Sequence, residues 1–256
     1  MIERLEYMRI APALILDAGG GTGRDARSLS ARFRGAQVVA LDISAGMLRA
    51  ATAGRGLVAR WFGGPTLAVC ADVRQIPLAG ASVDMVWSNL VLHWVDDPAQ
   101  AIREFARVLR PEGLLMLSAY GPDTFGELAA ASAKALGSSR VRRFADMHDV
   151  GDMLVAAGFS NPVMDAERMT LTYADARAFL ADLRATAQSV AGPPPARGLG
   201  GRRGIEALRG ALDERRRQGR LAVTFEIAYG HAWKATPTHT AEGHAILRAA
   251  FPRRPA

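Results

Sequence analysis

Several residue types are scarce in this chain of 256 residues, and each shortage closes off a class of protein. There is one cysteine, Cys70, so neither a disulfide framework nor a cysteine-bound metal cluster can hold the fold together. Cys70 sits in an apolar stretch and reads as a lone buried thiol. Lysine is nearly missing: Lys134 and Lys234 are the two in the chain. The net charge of +7 therefore comes from arginine, spread along the sequence. The tightest group, Arg215 to Arg217, ends a helical run, where cations suit the helix dipole. No basic stripe interleaved with aromatics is visible, which argues against a nucleic-acid partner. A basic face toward an acidic protein partner stays open. Apolar runs fall short of the roughly 20 residues that a membrane-spanning helix needs. The opening MIERLEYMRI lacks the apolar core and small residues of a signal peptide. The expectation is a cytoplasmic protein with no membrane partner. Neither metal-ligand spacing nor a nucleophile elbow is present.

What remains is an ordinary globular composition, 49% hydrophobic and 22% charged. The first half alternates short apolar runs with helical patterns. Strands are expected at 14–16, 38–41, 67–71, 83–88 and 114–118, with helices at 24–33 and 98–109 between them. Ser44 is placed to cap a further helix through Leu48 and Ala51. Strands alternating with helices make a mostly parallel sheet covered on both faces. After Tyr120 the rhythm changes. Helices are expected at 124–136 and 149–157, with Asp149 as N-cap and Gly158 as the stop. A sixth strand region spans 163–173. Two helices, 175–191 and 205–218, flank a loop of Pro and Gly at 192–204, and a last strand covers 221–233. The expected domain is 1–234, with a helical insertion at 174–220 before the last strand and a loose tail at 235–256.

Asp17-Ala18-Gly19-Gly20-Gly21-Thr22-Gly23 follows a strand and opens a helix. A ligand lying across that turn approaches backbone, so side chains there must be small. The turn also falls at the carboxyl edge of a parallel sheet, where such sheets bind ligands. A dinucleotide fingerprint would need a third glycine where Arg24 stands. Asp17 before the turn favours a cationic ligand over a pyrophosphate. Asp42 ends the second strand, where a carboxylate can accept both hydroxyls of a ribose. Asp72, with Val73, ends the third strand, a place to meet an adenine edge. Each acid alone reads as a helix cap or turn residue; the three at successive strand ends form a constellation.

ILDAGGGTG, VVALDIS, CADVRQIPLAGASVDMVWSNLVLHWV and LRPEGLLML resemble the successive motifs of class I S-adenosylmethionine-dependent methyltransferases. The resemblance runs from Leu14 to Ser118. It implies a Rossmann-like α/β fold with a seven-stranded sheet, its last strand antiparallel, and S-adenosylmethionine as cofactor. It implies that Asp17, Gly19, Gly21 and Gly23 hold the methionine end. Asp42 would hold the ribose, with Ile43 and Met47 beside it, and Asp72 and Val73 the adenine. Asn89 and Leu90 would pass beside the methyl-donor end.

The second half resembles one subfamily, the malonyl-acyl-carrier-protein O-methyltransferases of biotin synthesis. The matching stretches are SAYGPDT at 118–124, FADMHD at 144–149, PVMD at 162–165, TLTY at 170–173 and YGHAW at 229–233. Related carboxyl or quinone methyltransferases share some of them. The resemblance implies malonyl-acyl carrier protein, or another malonyl thioester, as acceptor. Such a carboxylate is already a nucleophile at neutral pH, so no catalytic base is demanded. Candidate contacts to it are His93, Tyr120, Arg143, Tyr229 and His231. Each has an equally ordinary alternative: Tyr120 a half-buried aromatic, Arg142 and Arg143 solvated or facing the carrier protein, Tyr229 and His231 strand packing. The insertion either covers the site or merely packs beside the sheet.

Relatives of this kind carry a longer leader with an aromatic segment that folds over the cofactor. Nothing in Met1 to Ile15 matches it: either the true start lies upstream or the lid is lacking, and weak cofactor binding is expected of the sequence as it stands. Two other readings stay open: a methyltransferase for another small molecule, and a methyltransferase-like binding protein without catalysis.

Overall fold

Leu14–Ala18 (β1) is apolar on both faces because helices cover both sides of it, and Ile15 and Leu16 are fully buried in opposite directions. A computed structural model describes residues 1–52, 66–186 and 202–236. Six further strands complete the sheet: β2 (Gln37–Asp42), β3 (Leu67–Cys70), β4 (Val83–Asn89), β5 (Leu109–Tyr120), β6 (Phe159–Tyr173) and β7 (Leu221–Lys234). Their spatial order is β3-β2-β1-β4-β5-β7-β6. β1 to β5 pair in parallel, and β7 runs antiparallel to both β5 and β6. The chain reverses direction across the sheet at β1, between β2 and β4. Ligands bind such open sheets beyond the carboxyl ends of the strands at that point.

Seven helices are described: α1 (Arg24–Arg32), α2 (Ala45–Thr52), α3 (Pro98–Val108), α4 (Gly126–Leu136), α5 (Met147–Ala156), α6 (Ala176–Ala185) and α7 (Arg202–Asp213). The period of two in the strands sorts the core. Ile15, Val38, Ala40, Met85, Trp87, Leu114 and Met116 pack under α1, α2 and the N-terminal turn Ile2–Tyr7, where Leu5 is 1% exposed. Their neighbours Leu16, Val39, Leu41, Val86, Leu115 and Leu117 face α3 and α5. A third cluster joins α4, α6 and α7 to the start of β7, around Phe125, Phe179 and Leu212. The Ala176 N–H donates to Asp213 Oδ1 at 2.9 Å, tying the start of α6 to the end of α7.

The structure corrects several expectations. Asp146, not Asp149, caps α5; Asp149 sits one turn in and returns the bond to the cap's backbone, forming a capping box. β5 begins at Leu109 and carries Pro111, with Glu112 at φ +64 and a shifted register opposite Val83 and Met85. β6 begins at Phe159 and bulges at Asn161. α4 starts at Gly126 because Thr124 is held by Glu226 on β7, Oγ1 donating to its carbonyl at 2.8 Å. α7 begins at Arg202, inside the stretch expected as loop, and Arg215 to Arg217 lie past its end. Cys70 is exposed because β3 is the edge strand. The segments 187–201 and 237–256, with most of the Pro/Gly loop and the tail, lie outside the described residues.

Candidate active site

The turn after β1 is built on Leu41, whose carbonyl accepts the Gly19 N–H at 2.7 Å and the Gly20 N–H at 3.0 Å. Gly19 has φ +80, and a Cβ there would overlap the Val91 side chain. Gly23, at φ +74, caps α1 and lies against Ala51. Both positions therefore need glycine for conformation and for space. Gly21 has open space above it. Its N–H donates to Asp42 Oδ2 at 2.9 Å, and Asp42 Oδ1 accepts the Ser44 N–H at 2.8 Å. Each Asp42 oxygen has spent one lone pair and keeps another for an outside donor.

Asp17 is 2% exposed, and its Oδ2 has no hydrogen-bond partner. Burial, helped by Asp25 and Asp42 nearby, pushes its pKa up to about 7. The Ala26 N–H donates to this carboxylate, but an oxygen left buried and unpaired is costly unless a cation arrives. Asp72 is held by Arg74, whose Nε and Nη2 lie 3.0 Å and 2.7 Å from its Oδ2. That bidentate contact keeps its pKa below the usual carboxylate range. Val73 is buried behind it, Ile43 at the end of β2 is 71% exposed, and Met47 is half-buried one turn into α2. Asp17, Asp42, Asp72 and the glycines thus line one edge of the sheet. An orphaned acid, free carboxylate lone pairs and an exposed aliphatic side chain fit a ligand with a cationic end, a ribose and an adenine.

One member of the site was missed in the sequence. Asp25, in the first turn of α1, accepts Trp87 Nε1 at 2.8 Å and Asn89 Nδ2 at 2.7 Å through its Oδ2. Buried Trp N–H groups need such a partner. Ser118 Oγ donates to Asn89 Oδ1 at 2.6 Å, and Leu90 N–H reaches Ser118 Oγ at 3.1 Å, with Leu90 at φ +55. Asn89 is therefore fixed from both sides, by Asp25 on α1 and Ser118 on β5, and Leu90 is fixed by Ser118 alone. An acid two residues into a helix that opens at a glycine turn was the available signal.

Beyond Leu90 lies a cavity of about 270 Å³, lined by His93, Tyr120, Arg142, Arg143 and Phe144 among others. Tyr120 is 3% exposed at the end of β5, and burial raises its phenol to about 12. Arg142 donates to the His93 carbonyl at 3.3 Å and to Asp96 at 2.8 Å. Arg143 has no hydrogen bond or ion pair among the described residues. The structure thus brings His93, Tyr120 and Arg143 together. Tyr229 and His231 do not line this cavity; Arg4 lies over the Tyr229 ring at 4.4 Å, and burial plus Arg4 lowers the His231 pKa. Among the described residues no group of His, Cys, Asp or Glu is placed to hold a metal ion, and no helix is long and apolar enough to cross a membrane.

Residues 16–117 match the family described as methyltransferase domain. The chain is 48% identical to the malonyl-acyl-carrier-protein O-methyltransferase of Methylovorus sp. strain MP688, over 91% of this chain and 79% of that one. It is 46% identical to the protein of the same description from Gallionella capsiferriformans, over 98% and 87%. Among solved structures, the YcgJ protein of Bacillus subtilis shares the fold at a TM-score of 0.63 and 17% identity, covering 93% of this chain and 97% of that one. Phosphoethanolamine N-methyltransferase 2 of Haemonchus contortus, solved with S-adenosyl-L-methionine, shares it at 0.57 and 18%, covering 91% and 51%. The glycine turn, the acids and the sheet order belong together with these relatives: the chain is an enzyme of the malonyl-acyl-carrier-protein O-methyltransferase family and takes S-adenosyl-L-methionine as its methyl donor.

Proposed function

We propose that the methyl acceptor is the free carboxylate of a malonyl thioester on acyl carrier protein, the acceptor for which its relatives are named. The observation that carries this reading is the Arg143 guanidinium, without a partner among the described residues, on a cavity whose lining begins at Leu92, just past Asn89 and Leu90 in the chain. An arginine with five N–H donors and no acceptor is suited to a carboxylate. The apolar walls of Tyr120 and Phe144 suit the rest of a short acyl chain.

When bound, S-adenosylmethionine supplies an electrophilic methyl group on a cationic sulfur that leaves as a neutral thioether. Asp17 would meet the ammonium at its methionine end, Asp42 its ribose hydroxyls, and Asp72 with Ile43 its adenine. Asn89 and Leu90 would border the methyl. The acceptor carboxylate attacks without losing a proton, because it is already ionised at neutral pH. The task of Arg143 and the cavity walls is to hold one carboxylate oxygen in line and to exclude water from it.

The test uses purified protein, labelled S-adenosylmethionine and malonyl-acyl carrier protein. Methyl ester on the malonyl carboxyl is expected. Arg143→Leu should raise the acceptor KM about tenfold or more, the loss of a charged hydrogen bond. Cofactor binding without ester formation would show that the malonyl thioester is not the acceptor.

A further inference from the structure

One polar group of the cavity has no part in that assignment. His93 occupies the single turn Leu92–Trp94 that follows β4, between Asn89 and the cavity. Its ring is clamped by aromatics. Tyr120 lies 4.5 Å away between centroids, Trp94 lies 5.2 Å away, and Phe144 presents an edge at 6.0 Å. Both ring nitrogens are buried, and neither has a hydrogen-bond partner among the described residues. Buried polar atoms in folded proteins are normally paired, so two orphans on one ring call for a ligand or a function. Neither nitrogen is open to solvent as the ring stands, so a ligand reaches one only when a clamping ring shifts, and Trp94, 49% exposed, is the freest of the three.

Burial, with the charge of Arg142 close by, lowers the His93 pKa to about 4. The imidazole is neutral at physiological pH and carries one N–H donor and one acceptor. Arg142 cannot serve in its place, because its guanidinium is held by Asp96 and the His93 carbonyl.

We infer that His93 is an acceptor-binding residue whose ring N–H donates to the carboxylate oxygen that is not methylated. This rests on the reading of the cavity as the acceptor site. The chemistry favours an uncharged donor there. A second cation on the carboxylate would draw electron density from the attacking oxygen, whereas one neutral N–H orients the group and leaves the nucleophile intact. The bond that forms is carboxylate oxygen to methyl carbon, and the bond that breaks is methyl carbon to sulfur, whose electron pair stays on sulfur. No proton moves, so His93 neither gains nor gives one. In the product ester the same oxygen is an uncharged carbonyl, a weaker acceptor for both His93 and Arg143, which favours release.

The experiment compares wild type, His93→Phe and His93→Gln at saturating S-adenosylmethionine, with malonyl-pantetheine as acceptor. His93→Phe keeps an aromatic ring in the clamp and removes both nitrogens. Its acceptor KM should rise about tenfold or more, as for a lost bond to a charged group. Cofactor affinity should stay at the wild-type value, and the melting temperature should not fall, because the variant removes two unpaired buried nitrogens. His93→Gln returns an N–H donor and should recover part of the KM. As a second readout, ¹⁵N resonances of the His93 ring should move on adding malonyl-pantetheine with S-adenosylhomocysteine, and should not move with acetyl-pantetheine. Should His93→Phe misfold, the ring resonances of the wild type decide alone. An unchanged KM in both variants, or ring signals indifferent to the malonyl carboxylate, overturns the His93 assignment while leaving the substrate reading intact. Wild-type protein that forms no malonyl ester overturns the substrate reading and this inference with it.

Discussion

Asp42 Oδ2 accepts the Gly21 N–H at 2.9 Å, so the acid that ends β2 also holds down the glycine turn that follows β1. Because Oδ1 is fixed by the Ser44 N–H, the carboxylate is oriented before any ribose arrives. Asp42→Ala removes both the outside acceptor and the tie to the turn. Hydrogen bonds to charged groups contribute about 1.5–3 kcal/mol each. Dissociation constants for S-adenosylhomocysteine, measured by calorimetry, should rise at least tenfold. Asp42→Asn keeps an acceptor for the ribose and should fall between the two. Binding within threefold of wild type in Asp42→Ala would remove this acid from the cofactor site.

Gly19 and Val91 form a tight pair across the site. Gly19→Ala places a methyl group into the Val91 side chain at a φ of +80. Overpacking of that kind costs about 1–3 kcal/mol, and the left-handed backbone adds about 1 more. Melting temperature and cofactor affinity should both drop. Adding Val91→Ala relieves the clash and leaves the backbone strain, so the double variant should recover part of the loss. Full recovery would show that the glycine is needed for space alone, and no recovery that it is needed for conformation alone.

The Asp72 and Arg74 pair separates two roles at the third strand. The pair is partly exposed, with side chains 27% and 38% accessible, so solvent screens it and it adds little to stability. If Asp72 meets the adenine amine, Asp72→Ala should weaken S-adenosylhomocysteine about tenfold. Arg74→Ala frees the carboxylate and should leave affinity within threefold, or improve it. Equal losses in both variants would place the Arg74 guanidinium, and not Asp72, against the base.

Much of this was legible because buried parallel strands are written as short apolar runs, and here three of them end in acids. Asp17, Asp42 and Asp72 needed only that register to be found. The bonds from Asp25 to Trp87 and Asn89 were not legible, since they join residues more than sixty apart that meet only when β4 lies beside β1. Strand periodicity put Tyr229 and His231 on one face but could not say which; the face turns out to be the one beneath Arg4. Asp146 and Asp149 both suit a helix start, and only the folded backbone shows which accepts and which returns the bond. Cys70 lies in an apolar stretch, and its exposure follows from the position of β3 at the sheet edge, which no local pattern encodes.

Asp17 makes the enzyme's response to pH a direct test of the site. Its carboxyl titrates near 7 in the fold against an ordinary 3.8, chiefly because it is buried and next because Asp25 and Asp42 repel its charge. The native state therefore binds more protons at this position than the unfolded chain between those values. Its contribution to the stability of the free enzyme is full below the unfolded value and is lost as pH rises through about 7. Cofactor binding runs the other way, because the ammonium of the methionine end, which S-adenosylhomocysteine keeps, prefers the ionised acid. Affinity should rise with pH toward about 7, by at most about tenfold per unit for one coupled proton, and level off above it. His93, already neutral at those values, adds nothing to the slope. Asp17→Asn should abolish the slope, bind cofactor weakly throughout, and melt above the wild-type free enzyme on the alkaline side. Asp25→Asn removes one repelling charge and should move the inflection to lower pH. Calorimetric titrations with S-adenosylhomocysteine across this range decide it. A wild-type affinity that is flat, or that falls as pH rises, would mean that Asp17 does not face the positive end of the cofactor.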